Sequence, residues 1–206
     1  GCKSKVFQVG DNPIFQFRDC SDSSIRESIL LPSANQLQPL ITLSPGPGEI
    51  CQRNIIEGLL IFPASASEYC NECIRIQPDS GVVRYNTLRD MKFNDLLVCL
   101  YLDSSNGDIT CNIFENFFID RYINGVVFKD GLGRCDNNTF IHIKLQSRER
   151  NVNLVPIPAQ TKSAFYNISG RGNRFDHCLV WDWGGAAPRV ADGLNPFAWI
   201  IGDGAS

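Results

Sequence analysis

Apolar and polar residues alternate along NIFENFFIDRYINGVVF, residues 112–128, but the alternation slips once between Phe114 and Phe117. Residues an odd number apart lie on opposite faces of a strand, so keeping both rings inside requires a bend between them. The same frame recurs. With Asn112 as position zero, apolar residues stand at +2, +5 and +7 (Phe114, Phe117, Ile119). They do so again from Asn54 (Ile56, Leu59, Ile61), Asn86 (Leu88, Met91, Phe93), Asn138 (Phe140, Ile143, Leu145) and Asn173 (Phe175, Cys178, Val180). A weaker copy starts at Ser24, where Ile29 and Leu31 fit and Arg26 does not. Position +4 reads Ser28, Gly58, Asp90, Asn116, His142 and His177, mostly the small or polar types that corners favour. Each copy predicts a strand, a tight corner and a second strand.

The starts lie 26 to 35 residues apart, and each interval holds a further apolar run: 38–43, 73–77, 96–102, 123–128, 151–157 and 197–202. Three short strands per interval predict an all-β parallel β-helix, a solenoid of about six rungs with variable lateral loops. Leucine-rich repeats have similar periods, but their leucine consensus is absent. A β-sandwich also has short strands between turns, yet has no reason to repeat an eight-residue frame. Asn recurring at zero is expected to stack, its amide bonded to the backbone of the next rung. Residues 1–20 read as a lead-in or N-terminal cap and 21–206 as the β-helix. The closing GDGAS reads as the opening of another rung, so the helix is expected to continue past residue 206. The loops fall at 44–49, 63–72, 103–108 and 182–196. DSSNGD (103–108) is expected to be a turn, its acidic spacing not being that of a calcium loop.

Composition narrows the partners. A formal net charge of −3 lacks the basic stripe of a nucleic-acid surface, and no apolar run approaches the length of a bilayer span. Nine cysteines cannot all close within one chain. Cys70 and Cys73 form a lone CxxC with no second pair at zinc spacing, so no metal and no cofactor is expected. The cysteines read mostly as small buried apolar residues, suited to assembly in a reducing cytosol.

Two places could carry chemistry. Position +3 reads Glu27, Glu57, Arg89, Glu115, Ile141 and Asp176. Rungs about 4.8 Å apart bring Glu57, Arg89 and Glu115 into ion-pair reach. Such a column can offer a carboxylate pair at hydrolytic spacing or form an ordinary charge ladder. The second is RFDHCLVWDW (174–183), which gathers Asp176, His177, Trp181, Asp182 and Trp183, with Trp199 in the next run. Indoles stack on sugar faces and carboxylates bond hydroxyls, so Trp181, Trp183, His177 and Asp182 are glycan-binding candidates. The alternative is that the tryptophans pack under the long loop and His177 is a corner residue beside His142. Glu115, Asp176 and Asp182 are the weak catalytic candidates. No nucleophile elbow, P-loop, dinucleotide fingerprint or HExxH occurs.

The Asn-x-apolar repeats, together with NRFDHCLVWDW, resemble right-handed parallel β-helix proteins of the pectate-lyase-like superfamily, and most closely phage tailspikes and virion fibres. The resemblance covers about residues 24 to 202. The aspartate and arginine motifs of pectate lyases and polygalacturonases have no counterpart here, so no catalytic residue carries over. The resemblance implies a virion structural or receptor-binding protein, assembled in the host cytoplasm as a homotrimer with other virion proteins and presenting a lateral face to cell-surface polysaccharide. The alternatives are an extracellular polysaccharide lyase or glycoside hydrolase acting on that face, and a purely structural capsid-decorating β-helix. Neither nucleic acid nor membrane is expected as a partner.

Overall fold

A computed structural model describes residues 4–7, 13–31, 38–62, 70–146, 163–181 and 197–201. Every regular element among them is a β-strand, and every pairing is parallel between successive turns of the chain. The chain is a right-handed parallel β-helix of about six rungs. One face is a five-stranded sheet of Cys20–Ser21, Ile50–Gln52, Val82–Arg84, Asp108–Thr110 and Cys135–Asp136. The second face carries positions +1 to +3 and, past a bend, +6 to +8. The third stacks Phe15–Phe17, Ile41–Leu43, Cys70–Ile76, the ends of Thr87–Asp103 and Ile113–Lys129, Ser163–Ile168 and Phe197–Ile201. Thr87–Asp103 and Ile113–Lys129 run unbroken through two faces, in register along their length.

The repeat frame is the register. Ile56, Leu88, Phe114, Phe140 and Phe175 pair successively at +2. Their phenylalanines stack, Phe114 on Phe140 and Phe140 on Phe175, both at 4.8 Å between ring centroids. The weak first copy is displaced by one residue. Ser24 pairs with Ile55 and Ile25 with Ile56, so Ser23 is its zero, Ile25 its +2 and Leu30 its +7. This correction restores an apolar residue at +2 and moves Arg26 to +3 and Glu27 to +4.

The slip in alternation has a single backbone cause. Glu27, Gly58, Asp90, Asn116, His142 and His177, the whole +4 column, have φ between 46° and 68°. One left-handed residue turns the chain so that +2 and +5 both face the core. Asn, Asp, His and Gly tolerate this conformation better than other residues, which accounts for the composition of the column. A second left-handed column stands at −1: Asp22, Arg53, Tyr85, Cys111, Asn137 and Gly172.

Position zero follows directly. The backbone N–H groups of Ser23, Asn54, Asn86, Asn112 and Asn138 donate to the Oδ1 of Asn54, Asn86, Asn112, Asn138 and Asn173, at 2.8–3.0 Å. The Nδ2 groups donate to carbonyls inside the corner, such as Val83 and Thr110 for Asn112. Asn54, Asn112 and Asn138 are wholly buried. The ladder supplies the partners that a buried corner otherwise lacks.

The third face of rung five is Ser163–Ile168; the expected run 151–157 lies outside the described residues. Of residues 1–20, Phe15–Phe17 and Cys20–Ser21 are strands of the first rung, and Ser4–Phe7 pairs with Ser28–Leu31. DSSNGD is a turn, with the Ser105 N–H donating to Asp103 Oδ1 at 3.0 Å.

Candidate functional site

Positions +1 and +3 point away from the core, so the register arranges their side chains in columns about 4.8 Å apart. At +3, Glu57 lies between two arginines: Oε1 is 3.1 Å from Arg26 Nη1, and Oε2 is 2.6 Å from Arg89 Nη2. The hydrogen bond that Arg89 donates to the Glu57 carboxylate holds its guanidinium above the ordinary pKa, with the Coulomb attraction of Glu57 adding to it. Glu115 is next in the column, half-exposed and within electrostatic reach of Arg89. Ile141 follows, then Asp176. Glu115 and Asp176 thus stand two rungs apart, about 9.6 Å along the stack. That rung spacing lies just beyond the roughly 6.5–9.5 Å between the carboxyl groups of inverting glycosidases.

Asp176 is engaged on both oxygens. Oδ1 lies 2.6 Å from His177 Nδ1, and Oδ2 lies 2.9 Å from Arg174 Nη2. His177, with 72% of its side chain exposed, packs on His142 of the preceding rung at 5.2 Å between ring centroids. The +4 register puts the two imidazoles together, and the carboxylate beside His177 fixes its orientation. The result is an exposed rim of two imidazoles, one carboxylate and one guanidinium on rungs five and six. These are donors and acceptors of the kind that grip hydroxyls.

A third feature escaped the sequence reading. A cavity of about 390 Å³ opens at the end of the five-stranded sheet, lined by Asp130, Gly133, Arg134, Cys135, Asp136, Gly170 and Arg171. Arg134 donates three hydrogen bonds to Asp108: Nη2 to Oδ2 at 2.7 Å, and its backbone N–H and Nε to Oδ1 at 2.9 and 3.5 Å. The side-chain hydrogen bond from Arg134 is the main reason why the Asp108 carboxyl sits below the usual carboxylate range. The Arg171 N–H donates to Asp136 Oδ1 at 2.7 Å. The glycines are compelled: a Cβ on Gly133 would stand 2.1 Å from the Gly107 carbonyl oxygen, and one on Gly170 1.9 Å from that of Cys135. Gly81, Gly107 and Gly133, each five residues before a ladder Asn, were the available signal.

Trp181 closes the strand Leu179–Trp181, its backbone paired with Gln146. Asp182 and Trp183, with the loop 182–196, lie outside the described residues, as do residues 63–69 of the 63–72 excursion. Trp199 lies in the strand Phe197–Ile201, its backbone paired with Phe165 on the third face. Four cysteines (Cys51, Cys73, Cys99 and Cys135) are buried, and all seven whose side chains are described are unbridged. Among the described residues no three His, Cys, Asp or Glu side chains are grouped to hold a metal ion, and no helix is long and apolar enough to cross a membrane.

No protein-family model, curated protein or solved structure matches this chain. The functional reading therefore rests on the fold and on these side chains.

Proposed function

We propose that the chain is a receptor-binding β-helix of the virion spike or fibre type, contacting a cell-surface polysaccharide through the lateral rim of rungs five and six. The observation that carries this reading is the Asp176–His177–His142 rim, in which hydrogen-bonding groups are fixed by two left-handed corners and exposed to solvent. Stacked rungs present such groups at a constant pitch, which suits an extended polymer better than a small molecule. The mixed Arg and Asp lining of the cavity at the end of the five-stranded sheet, large enough for one sugar ring, adds a second hydroxyl-binding place on the same rungs. Outward apolar side chains, Leu179 at 53% and Ile113 at 39% exposure, offer area for side-by-side packing of three copies.

Binding to immobilised bacterial and animal polysaccharides, read by surface plasmon resonance, tests the proposal. Wild type is expected to bind at least one class reversibly, and His177→Ala and Asp176→Asn to weaken binding tenfold or more. Loss of neither contact affecting binding would overturn the assignment of the rim. Sedimentation should give a threefold mass, and a monomer at micromolar concentration would remove the trimer.

The placement of Glu115 and Asp176 favours one second reading, an inverting glycoside hydrolase. It predicts release of reducing ends from the bound polysaccharide, abolished by Glu115→Gln or Asp176→Asn. That result would replace the binding reading.

A further inference from the structure

At the first two rungs, the five-stranded sheet places Cys20 and Cys51 directly opposite each other on adjacent parallel strands. Their Sγ atoms are 3.5 Å apart. Neighbouring parallel strands lie about 4.8 Å apart, inside the Cα separation that disulfides span. Cys20 is half-exposed, whereas Cys51 is wholly buried. Among the described residues Cys20–Ser21 pairs on one side only, with Ile50–Gln52, so this outer strand can shift to bring the sulfurs into bonding distance. Asn54 Nδ2 sits over both, 3.6 Å from Cys20 Sγ and 3.3 Å from Cys51 Sγ, a donor for sulfur charge as it develops.

We propose that Cys20 and Cys51 form an oxidative crosslinking site, which a low-molecular-weight disulfide converts into a staple between the first and second rungs. The Cys20 thiolate attacks one sulfur of oxidised glutathione and breaks its S–S bond. One glutathione thiolate leaves, takes up a proton, and Cys20 becomes a mixed disulfide. Cys51 then gives up its proton and attacks Cys20 Sγ, expelling the second glutathione. Two thiols are oxidised by two electrons, one disulfide is reduced to two thiols, and the atoms balance. The order is set by access: burial pushes the Cys51 thiol well up, so the half-exposed Cys20 reacts first. The product ties rung one to rung two when the protein leaves a reducing compartment.

The test incubates the reduced chain, natively folded, with oxidised glutathione and maps thiols by peptide mass spectrometry. The expected result is a Cys20–Cys51 linked peptide within one chain, no adduct retained at Cys20, and a melting temperature raised by about 5–10 °C that dithiothreitol reverses. Cys51→Ala should hold one glutathione on Cys20 and show no such rise, and Cys20→Ser should leave Cys51 unmodified. A stable adduct at Cys20 in wild type would overturn the proposal. So would a link to any other cysteine, or both thiols remaining free while the half-exposed Cys111 and Cys178 react.

Discussion

Replacing Asn112 by Ala removes the middle of the asparagine ladder. Its Oδ1 accepts the Asn86 backbone N–H and the Asn86 Nδ2, each at 3.0 Å. Its Nδ2 donates to Val83 O, Thr110 O and Asn138 Oδ1. The Asn86 side chain keeps the Cys51 and Arg84 carbonyls, and Asn138 Oδ1 keeps the Asn112 backbone N–H. The groups that lose a partner are therefore the buried Asn86 N–H and Val83 carbonyl and the half-buried Thr110 carbonyl. An orphaned buried group costs about 1–3 kcal/mol, with carbonyls toward the low end, so the loss should be about 3–5 kcal/mol. Urea unfolding followed by far-ultraviolet circular dichroism measures it, with Asn106→Ala, the exposed residue of the 103–108 turn, as a control expected within about 0.5 kcal/mol. Asn112→Leu, which refills the volume without the hydrogen bonds, should remain as destabilised. A loss below about 1 kcal/mol for Asn112→Ala would refute the ladder as a major source of stability.

Phe140 lies between Phe114 and Phe175 and against Phe128 and Phe165, so Phe140→Ala should cost about 3–5 kcal/mol by the same unfolding assay. Gly133→Ala forces a methyl onto the Gly107 backbone and should lower the melting temperature well beyond Gly48→Ala, where φ is 76° and nothing lies within 4 Å; equal effects would contradict the close stacking of these turns. Burial alone would raise the Asp103 carboxyl, but hydrogen bonds from Ser105 and Lys129 outweigh it and the net pKa is lowered. A lowered folded pKa means that the stabilisation is present above the unfolded value of about 4 and is lost as pH falls through the folded one. Stability measured from pH 6 down to pH 2 should therefore drop at the acid end, and Asp103→Asn should flatten that drop.

Much of the fold was legible because the core is periodic. The +2, +5 and +7 residues and the ladder asparagines are sequence-fixed by one repeating register, and the mixed chemistry at +4 marked the corner. The five-stranded sheet was missed because its strands are two or three residues long, and four of them contribute a single core residue, three before the Asn: Cys51, Val83, Ile109 and Cys135. The first copy was misread by one residue because Ser23 replaces Asn and cannot announce the corner. At the site, the meeting of His142 and His177 was legible from the +4 column. The bonds from Asp176 to Arg174 and His177 were not, because a repeat frame assigns columns and not rotamers. The Asp/Arg cavity stayed hidden because its lining comes from turns that vary between rungs. Trp199 was legible as part of the next strand run, and its backbone pairs there with Phe165.

Hydrogen–deuterium exchange of the chain with and without a polysaccharide selected in the binding assay tests the central proposal, that rungs five and six form a receptor face. The account predicts slowed exchange confined to the strands around 139–146 and 174–181, lost in His177→Ala together with binding. Protection centred on the first rungs of the five-stranded sheet, at 50–52 and 82–84, would contradict it.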